Sequence, residues 1–121
     1  MSPVGWYIAS YLERLVVIGE DNENPKKRFL IWENTIIIKA KNPDEAYKKA
    51  IKEAGPGYIS TITVDGKKAK WVFEGLTSLL PIYEKLEDGA EIMWKDHRMR
   101  TLGKIRRWAK LKKELEVFST T

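Results

Sequence analysis

Few residues in this chain are of the types that do covalent or metal chemistry. There is one histidine and no cysteine, whereas zinc sites and nucleophilic dyads usually draw on several imidazoles or a thiolate. Hydrolytic triads, zinc ribbons, iron–sulfur clusters and disulfide frameworks are therefore excluded. His97 lies in Asp96-His97-Arg98, where the adjacent acid can raise its basicity, although a lone surface histidine beside a turn is ordinarily just solvated. Glu13, Glu33 and Glu74 fall on expected strands. Two of them converging would raise one pKa and create a general acid–base pair; the plainer outcome is a cross-strand ion pair with Arg14 or Lys70. Gly55-Pro56-Gly57 follows a helix, whereas a phosphate cradle precedes one so that free N–H groups point at the anion. No catalytic residue, metal or cofactor is assigned.

Two groups of residues suit binding. Five tryptophans are present, and Trp6, Trp32, Trp71 and Trp94 each sit on a different expected strand. Together they would line an aromatic cleft for a planar ligand, or they would simply build the core of a small domain without disulfides. The second group is the tail. Lys plus Arg total 22 against 17 acids, a net charge of +5. Residues 95 to 121 hold nine basic and three acidic side chains, so the first 94 residues are near neutral. Lys95, Arg98, Arg100, Lys104, Arg106, Arg107, Lys110, Lys112 and Lys113 surround Trp108. On a helix they form a basic face that would neutralise phosphates, with Trp108 stacking on a base. Membrane-surface or acidic-protein binding uses similar chemistry. The alternative is that Leu102, Ile105, Ala109, Leu111 and Leu115 dock the helix on the sheet or on a second subunit, leaving the charges solvated.

The elements that would position these groups follow from periodicity and turn chemistry. Trp6 to Ile18 alternates as a strand, with Trp6, Ile8, Ser10 and Leu12 on one face and Tyr7, Ala9, Tyr11 and Glu13 on the other. Polar residues 19 to 27 read as a loop, and Phe29 to Ala40, rich in β-branched residues, as the partner strand. Asn42-Pro43-Asp44-Glu45 opens a helix through Ala54: a cap, a first-turn proline, a capping-box acid and two charges favourable to the macrodipole. Tyr58 to Val64 and Lys67 to Gly75 form a hairpin about Asp65-Gly66. Leu79, Ile82, Tyr83 and Leu86 are spaced for a short helix interrupted by Pro81, Ala90 to Lys95 reads as a fifth strand, and a terminal helix runs from about Arg98 to Val117. Gly103 weakens the first turn of that helix.

The expected fold is α+β: a mainly antiparallel sheet of about five strands, one helix on a face, and a C-terminal basic amphipathic helix, in the order ββαββ(α)βα. Residues 1–94 would form one compact domain, and 95–121 a basic helix packed on it or on a second subunit. The N-terminus lacks a basic region followed by an apolar stretch, and no apolar run is long enough to span a bilayer. A cytoplasmic location is the resulting expectation.

Five local patterns occur in order: Trp6-Tyr7-x-Ala9-Ser10, Trp32-Glu33-x-x-Ile36, Glu45-Ala46-x-x-x-Ala50, Trp71-x-Phe73-x-Gly75-Leu76 and Asp88-Gly89-x-Glu91-Ile92. Over residues 6 to 94 the chain resembles an uncharacterised bacterial family known only as a domain of unknown function. The resemblance implies a compact α+β domain and carries no catalytic or binding residue. The leading functional expectation is a non-catalytic interaction module that self-associates as a homodimer. Nucleic-acid binding through the basic tail is the alternative, and a small enzyme using the strand carboxylates comes third.

Overall fold

The computed structural model describes residues 1–55 and 61–118. Four antiparallel strands, β1 (Trp6–Val17), β2 (Ile31–Lys39), β3 (Thr61–Val64) and β4 (Lys67–Pro81), form one curled sheet in the order β2-β1-β4-β3. Helix α1 (Pro43–Ala54) joins β2 to β3, and a second helix, α2 (Leu102–Trp108), follows the sheet. The architecture is α+β. Two short 3-10 turns, Lys112–Glu114 and Glu116–Phe118, close the described chain.

The alternation of β1 sets two faces. Tyr7 lies opposite Ile38, and Ala9 opposite Ile36; these side chains pack with Ala40, Leu76 and Leu79 against Ala46 and Ala50 of α1. Alanine at both helix positions, each fully buried, lets the helix backbone approach the sheet closely. The Asn42 side chain accepts from the Glu45 N–H at 2.8 Å, which fixes where the helix begins. At the other end Gly55 is extended, with φ −80°, and a Cβ there would collide with the Ile51 carbonyl oxygen. Pro56, Gly57 and the expected strand residues Tyr58 to Ser60 lie outside the described residues. The Asp65-Gly66 turn has positive φ at both positions, 50° and 79°, the backbone a two-residue hairpin loop requires.

The reverse face buries Ile8, Val16 and Ile82. Near Val16, Arg14 ties down the loop after β1. Its Nε meets Glu74 Oε2 at 2.9 Å, another guanidinium nitrogen donates to the Asn22 carbonyl, and the group lies 4.6 Å from the Phe29 ring centroid. At the opposite end the Ile82 N–H donates to the Trp6 carbonyl and Ser2 Oγ donates to the Ile82 carbonyl.

Three expectations are corrected. Leu79 to Pro81 extend β4 instead of opening a helix, pairing with Ala9, Ile8 and Tyr7; upstream of them β4 bulges between the partners of Ser10 and Tyr11 and again between those of Leu12 and Glu13. Thr77 and Glu74 are the extra residues, so Phe73, Leu76 and Leu79 reach one face at intervals of three, the interval of a helix. Ala90 to Lys95 carries no ladder pairing. It lines the same small cleft as residues 81–84, through Glu91, Ile92, Met93 and Trp94, and adds no fifth strand. The terminal helix is confined to Leu102–Trp108, and every described residue from 95 to 118 is exposed. Without a surface to bury its apolar stripe, a segment of this length gains too little to propagate as one helix.

Candidate functional site

A helix of 12 residues is about 18 Å long, whereas a strand of 12 residues runs about 40 Å. Helix α1 therefore covers only part of its face of β1. Beyond it that face continues through Tyr11, Glu13 and Leu15, with Trp32 and Phe73 flanking Glu13 from either side and Trp71 beside Leu15. The two indoles lean across β1 and meet, ring centroids 4.8 Å apart at 36°. Tyr11 and Phe73 meet at 6.0 Å. Aromatic pairs of this kind contribute about 1 kcal/mol beyond the area they bury, yet Trp32 remains 54% exposed. The result is an aromatic shelf open to solvent, with one carboxylate in its middle. Burial, and secondarily the charge on Glu13, push the Tyr11 phenol above its ordinary value against a hydrogen bond from Asn34.

Of the four tryptophans expected to line a cleft, the shelf brings together Trp32 and Trp71. Trp6 lies 5.8 Å from the Lys39 ammonium, and Trp94, which is not on a strand, packs against Tyr83 at 6.0 Å. Tyr11 and Phe73 belong to the shelf although neither was singled out from the sequence. The signal for Tyr11 was its parity with Glu13 on β1, and for Phe73 its parity with Trp71 on β4, since both bulges lie beyond it.

The three carboxylates divide between the faces. Glu13 is on the shelf side. Glu33 and Glu74 are engaged on the reverse face, where Thr77 Oγ1 donates to Glu33 at 2.6 Å and Arg14 holds Glu74. Among the described residues no group of three His, Asp or Glu side chains could hold a metal ion, and no helix is long and apolar enough to cross a membrane.

In the tail, α2 begins at Thr101, whose hydroxyl accepts from the Lys104 N–H at 3.3 Å. His97 meets the edge of Trp108 at 4.5 Å, and Asp96 accepts from the Arg98 N–H at 2.7 Å. Lys95, Arg98, Arg100, Lys104, Arg106, Arg107 and Lys113 are exposed. Lys110 pairs with Glu116 at 2.8 Å; that contact raises the Lys110 pKa and holds the Glu116 carboxyl below its usual range. The tail cations thus spread over residues 95 to 113 in a partly helical segment and not along one continuous helical face.

No curated protein and no solved structure matches this chain. A family model for a domain of unknown function, DUF4288, matches residues 6–94, the stretch that contains the whole sheet, α1 and the shelf. The chain belongs to the DUF4288 family.

Proposed function

We propose that this protein is a non-catalytic interaction module that associates with itself. The observation that carries the reading is the concentration of large, half-exposed apolar side chains on and beside one outer strand. Leu30, Ile31, Trp32 and Ile37 are 44–54% exposed, although β2 forms a margin of the sheet. Trp32 lies on the shelf face and Ile31 and Ile37 on the reverse face, so a partner seated along the β2 edge would cover apolar side chains on both sides of the sheet. Glu33 and Glu74 share the reverse face, but each is held by a partner of its own, Thr77 and Arg14, which supports a structural role for these carboxylates over an acid–base one. Sedimentation equilibrium of the full chain, from low micromolar to several hundred micromolar, tests the reading. A reversible dimer is expected; a monomer across the whole range overturns it.

A second reading, nucleic-acid binding by the tail, is favoured by its charge. Of its nine cations, Lys110 alone forms an ion pair among the described residues, and Trp108 is half-exposed. Anisotropy of labelled single- and double-stranded oligonucleotides tests it. Binding that weakens steeply with salt and is lost in an Arg106→Glu/Arg107→Glu variant is the expected result; no binding at low salt removes the reading.

A further inference from the structure

The free edge of β2 is built to accept one more strand. Leu15 N–H donates to the Leu30 carbonyl and Ala40 N–H to the Gly5 carbonyl. Antiparallel ladders alternate between bonded and unbonded pairs, so the even-numbered residues of β2 bond to β1. Ile31, Glu33, Thr35, Ile37 and Lys39 direct their backbone groups outward, and the Lys39 carbonyl accordingly accepts from Lys49 Nζ at 2.7 Å. Edges of this kind are normally blunted by brevity, proline or a bulge. Strand β2 has nine residues, no proline and no register shift against β1, and runs through Thr35-Ile36-Ile37-Ile38. Alongside it lies an open groove of about 600 Å³, lined by Ile36 to Lys39 on the strand and by Lys49, Lys52 and Glu53 on α1.

We infer that β2 pairs antiparallel with β2 of a second copy, with Glu33 of each chain opposite Lys39 of the partner subunit. This specifies the surface behind the self-association proposed above. Charge selects the occupant and the register. Glu33 and Lys39 are the only charged residues of β2; they have opposite signs, share the reverse face and both belong to the outward-bonding set. One two-fold arrangement makes both opposite-charge pairs at once. Registers centred on Glu33 or on Lys39 would set like charges against each other, which destabilises a sheet. The chosen register also sets Thr35 against Ile37 of the partner subunit twice, and the two Ile36 side chains meet at the axis on the helix face. Glu33, Thr35, Ile37 and Lys39 of both chains then exchange N–H and C=O bonds. The Lys39 carbonyl has a second lone pair beside the one that Lys49 occupies. Two four-stranded sheets become one of eight strands.

The test is charge exchange in the full chain, followed by sedimentation equilibrium, with circular dichroism to confirm folding. Glu33→Lys and Lys39→Glu should each weaken the dimer by about tenfold, since each replaces two attractive cross-strand pairs by two repulsive ones. The double variant should recover to within about threefold of the original, because it restores opposite charges at the same register. Ile37→Pro removes an outward N–H without touching the β1 ladder and should give a folded monomer. A dimer indifferent to the three single substitutions would overturn the edge pairing while leaving self-association standing on another surface. Dissociation by the single changes without recovery in the double would overturn the register. A parent chain that is monomeric throughout would defeat both this inference and the reading beneath it.

Discussion

Helices α1 and α2 begin alike and fare differently. Each has a capping side chain three residues before the N–H it accepts from, Asn42 at 2.8 Å and Thr101 at 3.3 Å. Helix α1 adds a proline and two acids in its first turn, runs for 12 residues and buries Ala46, Ala50 and Ala54. Helix α2 has no acid in its first turn, runs for seven residues and buries nothing. A cap stabilises a helix by about 1 kcal/mol, which is not enough to offset the cost of nucleation. What separates the two is a sheet on which to lie.

The largest expected effect breaks that contact. Ala50→Asp places an unpaired charge at a fully buried position and should cost about 3 kcal/mol or more in urea unfolding. A loss below about 1 kcal/mol would mean that α1 is not held by its alanine face. A smaller and sharper comparison removes each cap. Asn42→Ala should lower global stability by about 1 kcal/mol, whereas Thr101→Ala should leave the unfolding midpoint unchanged, because α2 buries no residue against the sheet. Equal effects would show that the tail belongs to the same cooperative unit.

The smallest effect is titration of the tail. The Glu116 carboxyl is held below its usual range by Lys110, so the local order it supports is fully present above the ordinary carboxylate range. That order is lost as pH falls through the lowered value. Shifts of Glu116 and Phe118 resonances on acidification, with the sheet resonances unmoved, would record this; simultaneous movement of both would contradict it.

Strands β1 and β2, helix α1 and the Asp65-Gly66 turn were legible because their signals are local: strict alternation, a cap followed by Pro43, and a two-residue turn with positive φ. The far half of β4 was not legible. Its apolar residues recur at intervals of three through bulges that exist only because β4 pairs with β1. The tail misled for the opposite reason. Leu102, Ile105 and Leu115 have helical spacing, but spacing does not supply a partner. Of the shelf, Trp32 and Trp71 were individually visible as strand residues. Their meeting depends on β1 lying between β2 and β4, and sequence periodicity carries no strand order. The exposed edge of β2 was hidden by the same gap.

The two bulges of β4 also bear on which changes of length the protein can tolerate. Each bulge absorbs its extra residue, so that the residues on either side keep consecutive partners on β1 and the facing those partners set. Thus Trp71 and Phe73 point to the same side of the sheet as Leu79 although two additional residues intervene. Loss of Glu74 alone, or of Thr77 alone, would close one bulge and leave Phe73, Leu76 and Leu79 against their present partners on the same face, whereas loss of a paired residue such as Val72 would turn its neighbours to the wrong face. Loss of both bulge residues would likewise preserve the facing. The two bulge positions are therefore where β4 should tolerate a change of length, a latitude that its paired residues lack.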